Sequence, residues 1–154
     1  MSIVTLMTDF GLKDGNVGVM KGAIWSFAPQ AQIADLSHLI GPQNIREAAL
    51  ILARSAPYFP PGTVHVVVVD PGVGTSRRPL AARLGEQFFV GPDNGVLTQY
   101  LEWAQSRGLP VADTDPSEVA RLIATHAVGP HHLSRLVLPS LRTRPRGDIV
   151  MVSS

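Results

Sequence analysis

Five valines in six positions, V-H-V-V-V-V over residues 64–69, constrain this chain more than any other feature. β-Branched side chains favour extended backbone, and a run of them without polar alternation suits a strand covered on both faces, as in the middle of a parallel sheet. Parallel strands need crossovers, so such a strand should be flanked by short apolar runs alternating with amphipathic stretches. Residues 3–7 and 33–36 read as further buried strands. Residues 17–27 place Val17, Met20, Ala23, Ile24 and Phe27 on one helical face, and Pro29 ends that helix. Residues 45–56 repeat the spacing with Ile45, Ala48, Ala49, Leu52 and Ala56. Beyond the Y-F-P-P-G-T turn and the valine strand, residues 80–84 and 87–90 flank Gly85 and Glu86 as a hairpin at or near the sheet edge. Residues 97–105 read as a helix. The predicted class is α/β, a mostly parallel sheet with helices on both faces.

Composition narrows the function classes. With 154 residues, 45% hydrophobic and 16% charged, the chain has the length and apolar content of one packed domain and not of a disordered one. Thirteen basic against twelve acidic residues leave a net charge of +1, which gives no electrostatic footprint for nucleic acid or an anionic membrane, so a small molecule is the expected partner. The absence of cysteine excludes disulfides, thiolate catalysis and cysteine metal sites. The first residues lack the pattern of a secretory leader, and no run of about 18 apolar residues occurs, so a soluble, cytoplasmic protein is expected. The five histidines show no metal-ligand spacing: His131 and His132 are adjacent, there is no H-E-x-x-H, and His38 and His65 sit beside strands as packed or solvated residues. From residue 106 onward the character changes. Residues 117–141 read as a long helix broken at Gly129 and Pro130, residues 142–147 as an arginine-rich connection, and residues 149–152 as a last strand. A chain stopping two residues later suggests truncation or fusion.

In a parallel sheet the loops leaving the carboxyl ends of the strands share one edge, where ligands usually bind. Three such loops combine an acid with nearby glycine: T-D-F-G-L-K-D-G (residues 8–15), D-P-G-V-G-T-S-R-R (residues 70–78) and G-P-D-N-G (residues 91–95). Asp9 can accept two hydrogen bonds from a vicinal diol, as a ribose ligand does, or serve as a turn residue. Asp93 and Asn94 are candidate substrate-binding groups in a sequence that also suits a plain tight turn. Asp70 and Arg77 bracket a glycine-rich bend that can bring carboxylate and guanidinium together, either to orient a water molecule or as a structural salt bridge closing the loop. Neither a complete G-x-G-x-x-G nor a G-x-x-x-x-G-K-[ST] is present.

The segments TDFGLKDGNVGVMKGAI, APQAQIADLSHLIGPQNIREAA, PYFPPGTVHVVVVDPGVGTSRRPL and FVGPDNGVLT resemble, in order and spacing, the S-adenosylmethionine hydroxide adenosyltransferase family, relatives of the fluorinases and chlorinases, over about residues 2–105. The resemblance implies attack of water or hydroxide on the 5′ carbon of S-adenosylmethionine, giving adenosine and methionine without a metal or redox cofactor. It implies Asp9 as the ligand of the ribose hydroxyls, and Asp70 and Arg77 as two members of a water-orienting Asp, Arg, His set. The D-P-G-V-G-T-S-R loop, which halogenating relatives replace with a tyrosine-containing one, favours hydrolysis over halide transfer. The sequence also departs from the pattern. The family's catalytic His lies in an HGRD-like segment that is missing here, with His126 in roughly that region but in another context. The family also continues into a β-rich second domain that completes the site across a trimer. Residues 124–154 instead resemble a short-chain dehydrogenase fragment ending at Ser154, without its cofactor loop or Y-x-x-x-K. The expected organisation is therefore a hydrolase-like amino-terminal domain, residues 1–105, which the resemblance implies is Rossmann-like and three layers deep, with a divergent helix-strand extension, residues 106–154. The expected function is adenosine-forming S-adenosylmethionine hydrolysis, weak or absent in this chain, by a homo-oligomer, which the resemblance implies is a trimer. The alternatives are a non-catalytic adenosyl-binding module and a chimeric fragment.

Overall fold

A computed structural model describes residues 3–112, residue 78 excepted. The expected helix at 117–141, the strand at 149–152, His126, His131, His132 and Ser154 lie outside the described residues.

The elements follow the alternation: β1 (Ile3–Thr8), α1 (Asn16–Phe27), β2 (Gln32–Ser37), α2 (Ile45–Ser55) running into a 3-10 turn (Ala56–Tyr58), β3 (Val64–Val68), β4 (Pro79–Leu84), β5 (Gln87–Pro92), α3 (Thr98–Ser106) and β6 (Val111–Ala112). The strands form one sheet in the order β2-β1-β3-β5-β4-β6. The first four in that order are mutually parallel, and β4 runs antiparallel to both β5 and β6. Chain direction across the sheet reverses at β1: β2 is laid down on one side of it and β3 on the other. The crevice between β1 and β3 is therefore the topological switch point of the sheet, the position at which open α/β sheets hold ligands.

Two hydrophobic clusters make three layers. Met7, Val67, Phe89 and Tyr100 pack with Leu52 of α2 under α2 and α3. On the other face Val4, Leu6, Val64 and Phe88 meet Met20 and Ile24 of α1. The helix reading for α1 needs one correction, since Val17, Met20 and Ile24 face inward but Ala23 is exposed. The valine strand also differs from expectation. His65, Val67 and Val69 are fully buried, whereas Val66 and Val68, on the face served by α1 among the described residues, are half-buried. The hairpin forms as read, with Leu84 opposite Gln87 and Gly85 at φ 64°, as a two-residue turn beginning with glycine requires. It lies near the sheet edge, one strand in, because the short β6 pairs with β4 and forms the edge itself. A strand as short as β6 carries no periodicity for sequence to reveal.

One buried polar group fixes the floor of the α2/α3 layer. His65 Nδ1 lies 2.7 Å from Thr5 Oγ1 and Nε2 lies 3.3 Å from Gln87 Oε1, which also accepts from Tyr100 Oη at 2.9 Å. The Gln87 amide nitrogen donates to the carbonyls of Ala56 and Phe59. A neutral ring satisfies both neighbours, with Nε2–H donating to Gln87 and Nδ1 accepting from the Thr5 hydroxyl. Burial pushes His65 down from 6.5 to about 4, against the opposing pull of the Gln87 hydrogen bond. In the unfolded chain the ring titrates near 6.5, so between pH 6.5 and 4 the unfolded state binds more protons and stability falls as pH falls. Denaturant unfolding followed from pH 7 to pH 4 should show this group removing up to about 3 kcal/mol. His65→Gln should flatten that part of the profile, and an unchanged slope would contradict the assignment.

Candidate active site

The three acid-and-glycine loops emerge together. Thr8 pairs with Val68 across β1 and β3, and Val66 pairs with Val90 across β3 and β5. Asp9, Asp70 and the residue 91–95 loop thus follow adjacent parallel strands, spaced about 4.8 Å apart, at the same end of the sheet. Asp9 and Asp70 flank the switch point itself.

The loop after β3 folds by local hydrogen bonds. Val73 N donates to Asp70 O at 3.3 Å, and Thr75 N and Oγ1 both donate to Gly72 O, at 3.1 and 2.6 Å. Gly74, at φ 79°, takes the left-handed conformation that reverses the chain. Arg77 N then donates to Thr75 Oγ1 at 3.3 Å, which returns the arginine toward the start of the loop. Arg77 Nη2 contacts Asp70 Oδ2, so the carboxylate and guanidinium do meet across the bend. The Asp70 side chain is 5% exposed and that of Arg77 16%. Asp70 Oδ1 accepts from Gly72 N at 3.0 Å. A carboxylate offers about four acceptor positions, so capacity remains beside those two partners. Arg77 Nε is buried and has no hydrogen bond among the described residues.

Asp9 is half-buried, and its Oδ2 accepts from Gln43 N at 2.7 Å. Oδ1 carries no hydrogen bond among the described residues. Gln43 sits at φ 59°, the only non-glycine residue in the left-handed region among the described residues. The α2 cap anchors the segment around it: Asn44 Oδ1 accepts from Glu47 N, and Glu47 Oε2 accepts from Gly41 N at 2.9 Å. Asp93 and Asn94 divide. Asp93 is exposed on the rim. Asn94 turns inward, its Nδ2 donating to Val69 O at 3.0 Å and its Oδ1 accepting from Val96 N at 3.1 Å. Both ends of its amide are thereby committed to tying the β5 loop to the end of β3.

A cluster that the sequence reading passed over lies behind Asp9. His38, 4% exposed, places Nδ1 2.9 Å from Thr8 Oγ1, and its Nε2 is 3.1 Å from Asp35 Oδ1. Lys21 Nζ lies 2.6 Å from Asp35 Oδ2. Burial raises the Asp35 carboxyl, but the Lys21 hydrogen bond and charge and the His38 ring beside it outweigh this, holding Asp35 below the usual carboxylate range. The signal available in the sequence was D-L-S-H at a strand end, which places Asp and His three apart; the partnership with Thr8 and Lys21 is long-range. Among the described residues no group of three or more His, Asp or Glu side chains could hold a metal ion, and no helix is long and apolar enough to cross a membrane.

Other proteins carry similar segments. The (R)-S-adenosyl-L-methionine hydrolase of Thermus thermophilus is 48% identical over 103 residues, covering 67% of this chain and 39% of that protein. The (R)-S-adenosyl-L-methionine hydrolase of Salinispora arenicola is 47% identical over 94 residues, covering 61% of this chain and 36% of that protein. A crystal structure of an uncharacterized conserved protein from Thermotoga maritima matches with a TM-score of 0.64 at 44% identity, over 71% of this chain and 40% of that one. This chain therefore spans about two fifths of the length of these relatives. The sequence pattern of the SAM hydroxide adenosyltransferase N-terminal domain fits residues 4–126, and the chain belongs to that family.

Proposed function

We propose that the chain carries the adenosyl-binding and water-orienting half of an S-adenosyl-L-methionine hydrolase, forming adenosine and L-methionine. The observation that carries this reading is the buried contact of Asp70 with Arg77 at the β1/β3 switch point, with the Asp9 carboxylate on the adjoining strand end. Asp9 takes the ribose hydroxyls through its open oxygen, and Asp93 contributes from the rim. Asn94 acts indirectly, by holding the loop that carries Asp93. Asp70, fixed by Arg77 and Gly72 N, accepts a hydrogen bond from the attacking water and takes its proton as the bond forms. The water oxygen bonds to C5′, the C5′–S bond breaks, and its electron pair stays on sulfur.

The leaving group is a neutral thioether, so the reaction asks for no general acid, and no metal or redox cofactor enters it. Holding the water in line behind C5′ contributes up to about 7–11 kcal/mol through orientation. Proton removal adds about two to four powers of ten. Neutralisation of a sulfonium by an attacking hydroxide proceeds better in a site of low polarity, and the low exposure of Asp70 fits that requirement. We further propose a cytoplasmic homo-oligomer, a trimer as in the family resemblance, with a small-molecule substrate and no nucleic-acid or membrane partner, in keeping with the net charge of +1. The sequence lacks the HGRD-like segment, which favours slow turnover, and a purely adenosyl-binding module is the second reading.

Two measurements test these assignments. Incubation with S-adenosylmethionine in ¹⁸O-water should yield adenosine labelled at the 5′ hydroxyl, together with equimolar methionine. Asp70→Asn should slow this by about 10²–10⁴-fold. Binding without any product supports the module, and absence of binding refutes both readings. The second test is Gly72→Ala. Its new Cβ would stand 3.2 Å from Arg77 Cγ and 3.4 Å from Asp70 Oδ1, pressing on the pair without straining the backbone. Turnover should drop about tenfold while unfolding free energy changes by only about 1 kcal/mol. An unaffected rate would separate the pair's geometry from the chemistry.

A further inference from the structure

The switch-point loop after β1 is held from behind by one buried side chain. Phe10 N donates to Thr8 Oγ1 at 3.2 Å, and Thr8 Oγ1 is itself 2.9 Å from His38 Nδ1. One residue further on, Gly11 N donates to the main-chain carbonyl of His38 at 2.8 Å. Asp9 is therefore bracketed. The residues on both sides of it are bonded, through a hydroxyl or directly, to His38, while its own Oδ2 takes Gln43 N. Thr8 is fully buried and His38 nearly so, which leaves little room for either group to relax.

The bonding also selects an arrangement of protons. Thr8 Oγ1 accepts the Phe10 amide, and its hydroxyl proton can still be donated to Nδ1 when the ring proton sits on Nε2. On that nitrogen the ring faces Asp35 Oδ1 at 3.1 Å, an electrostatic contact without good hydrogen-bond alignment. Asp35 is held in turn by Lys21. Asp35 beside Nε2 thus favours the ring proton on that nitrogen, and the Thr8 hydroxyl then donates to Nδ1 while its oxygen accepts the Phe10 amide.

We propose that His38 is a positioning residue for Asp9, fixing through Thr8 and its own carbonyl the turn that presents Asp9 Oδ1 to a sugar diol. The proposal rests on the adenosyl reading given above. It implies that His38 acts on recognition of the 2′ and 3′ hydroxyls and not on the nucleoside as a whole.

Calorimetric titration of the full chain with adenosine and with 2′,3′-dideoxyadenosine separates these effects. The unaltered chain should prefer adenosine. His38→Ala should weaken adenosine by about tenfold and leave dideoxyadenosine within about twofold. Asp9→Asn should show the same selective loss. His38→Asn retains a polar atom near the Nδ1 position and should recover most of the adenosine affinity, which also keeps the test valid where the alanine variant folds poorly. Amide hydrogen exchange should quicken at Phe10 and Gly11 in His38→Ala and less so in His38→Asn. Equal weakening of both nucleosides, or no weakening in either His38 variant, would overturn the positioning role while leaving the adenosyl reading intact. Failure of the unaltered chain to bind either nucleoside would overturn both.

Discussion

The parallel pairing of β1 with β3 is the contact on which everything functional in this chain depends. Its register, Thr8 opposite Val68, decides that Asp9 and Asp70 leave the sheet side by side. A slip of one residue would turn Val67 and Val69 away from α2 and α3 and exchange them for Val66 and Val68. The two layers resist this exchange, because the α2/α3 layer closes over Met7, Val67, Phe89 and Leu52 while the α1 layer packs its own set, Val4, Leu6, Val64 and Phe88, and a slip would also carry His65 away from Thr5 and Gln87. Placing two acids at the switch-point crevice is thus a by-product of packing this strand. The apolar register, set by burial, fixes the polar register above it.

Asp70 and Arg77 form a different kind of contact from a surface ion pair. Burying two charges costs several kcal/mol each after relaxation, and their mutual attraction offsets that only when geometry and further hydrogen bonds are good. Gly72 N supplies one such bond, and the turns built on Asp70 O and Gly72 O hold the backbone in place before the side chains meet. The pair adds little to stability on this account, yet stranding either charge would be costly. This explains why a loop of small and polar residues is organised so closely around it, and why a glycine sits where any Cβ would touch both partners. Local backbone bonding here serves a geometry that its energetics alone would not select.

Much of this was legible in the sequence. The valine run, the helical spacing at Ile45 and Leu52, and the Gly85 turn each carry a local signal whose period or conformation leaves few alternatives, and each appears in the structure. The meeting of Asp70 with Arg77 was legible too, since both lie in one short glycine-rich loop. What escaped was non-local or too short. β6 is two residues long and exists through its pairing with β4. The inward turn of Asn94 depends on Val69 O, which arrives from another strand. His38 could be read only as packed or solvated, because Thr8 and Lys21 reach it from distant segments. The half-burial of Val66 and Val68 escaped for another reason: a strand's composition reports what it can tolerate on each face, not what covers it.

The least comfortable residue in the structure explains how Asp9 is kept ready. Gln43 occupies a left-handed conformation that costs an ordinary side chain about 1–2 kcal/mol. A hydrogen bond from its amide to a carboxylate contributes about 1.5–3 kcal/mol, enough to offset the strain. The flanking segment leaves Gln43 few other options, because Gly41 N is held by Glu47 and Asn44 caps α2. The bond to Asp9 therefore offsets the strain at Gln43, while the flanking bonds hold its amide where Asp9 can accept it. One carboxylate oxygen is immobilised by backbone from the far side of β1, and the other stays available at the crevice. On the proposed reading, a diol arriving there would meet an acceptor whose orientation the fold has already set, so that little of its binding energy would be drawn into ordering the side chain.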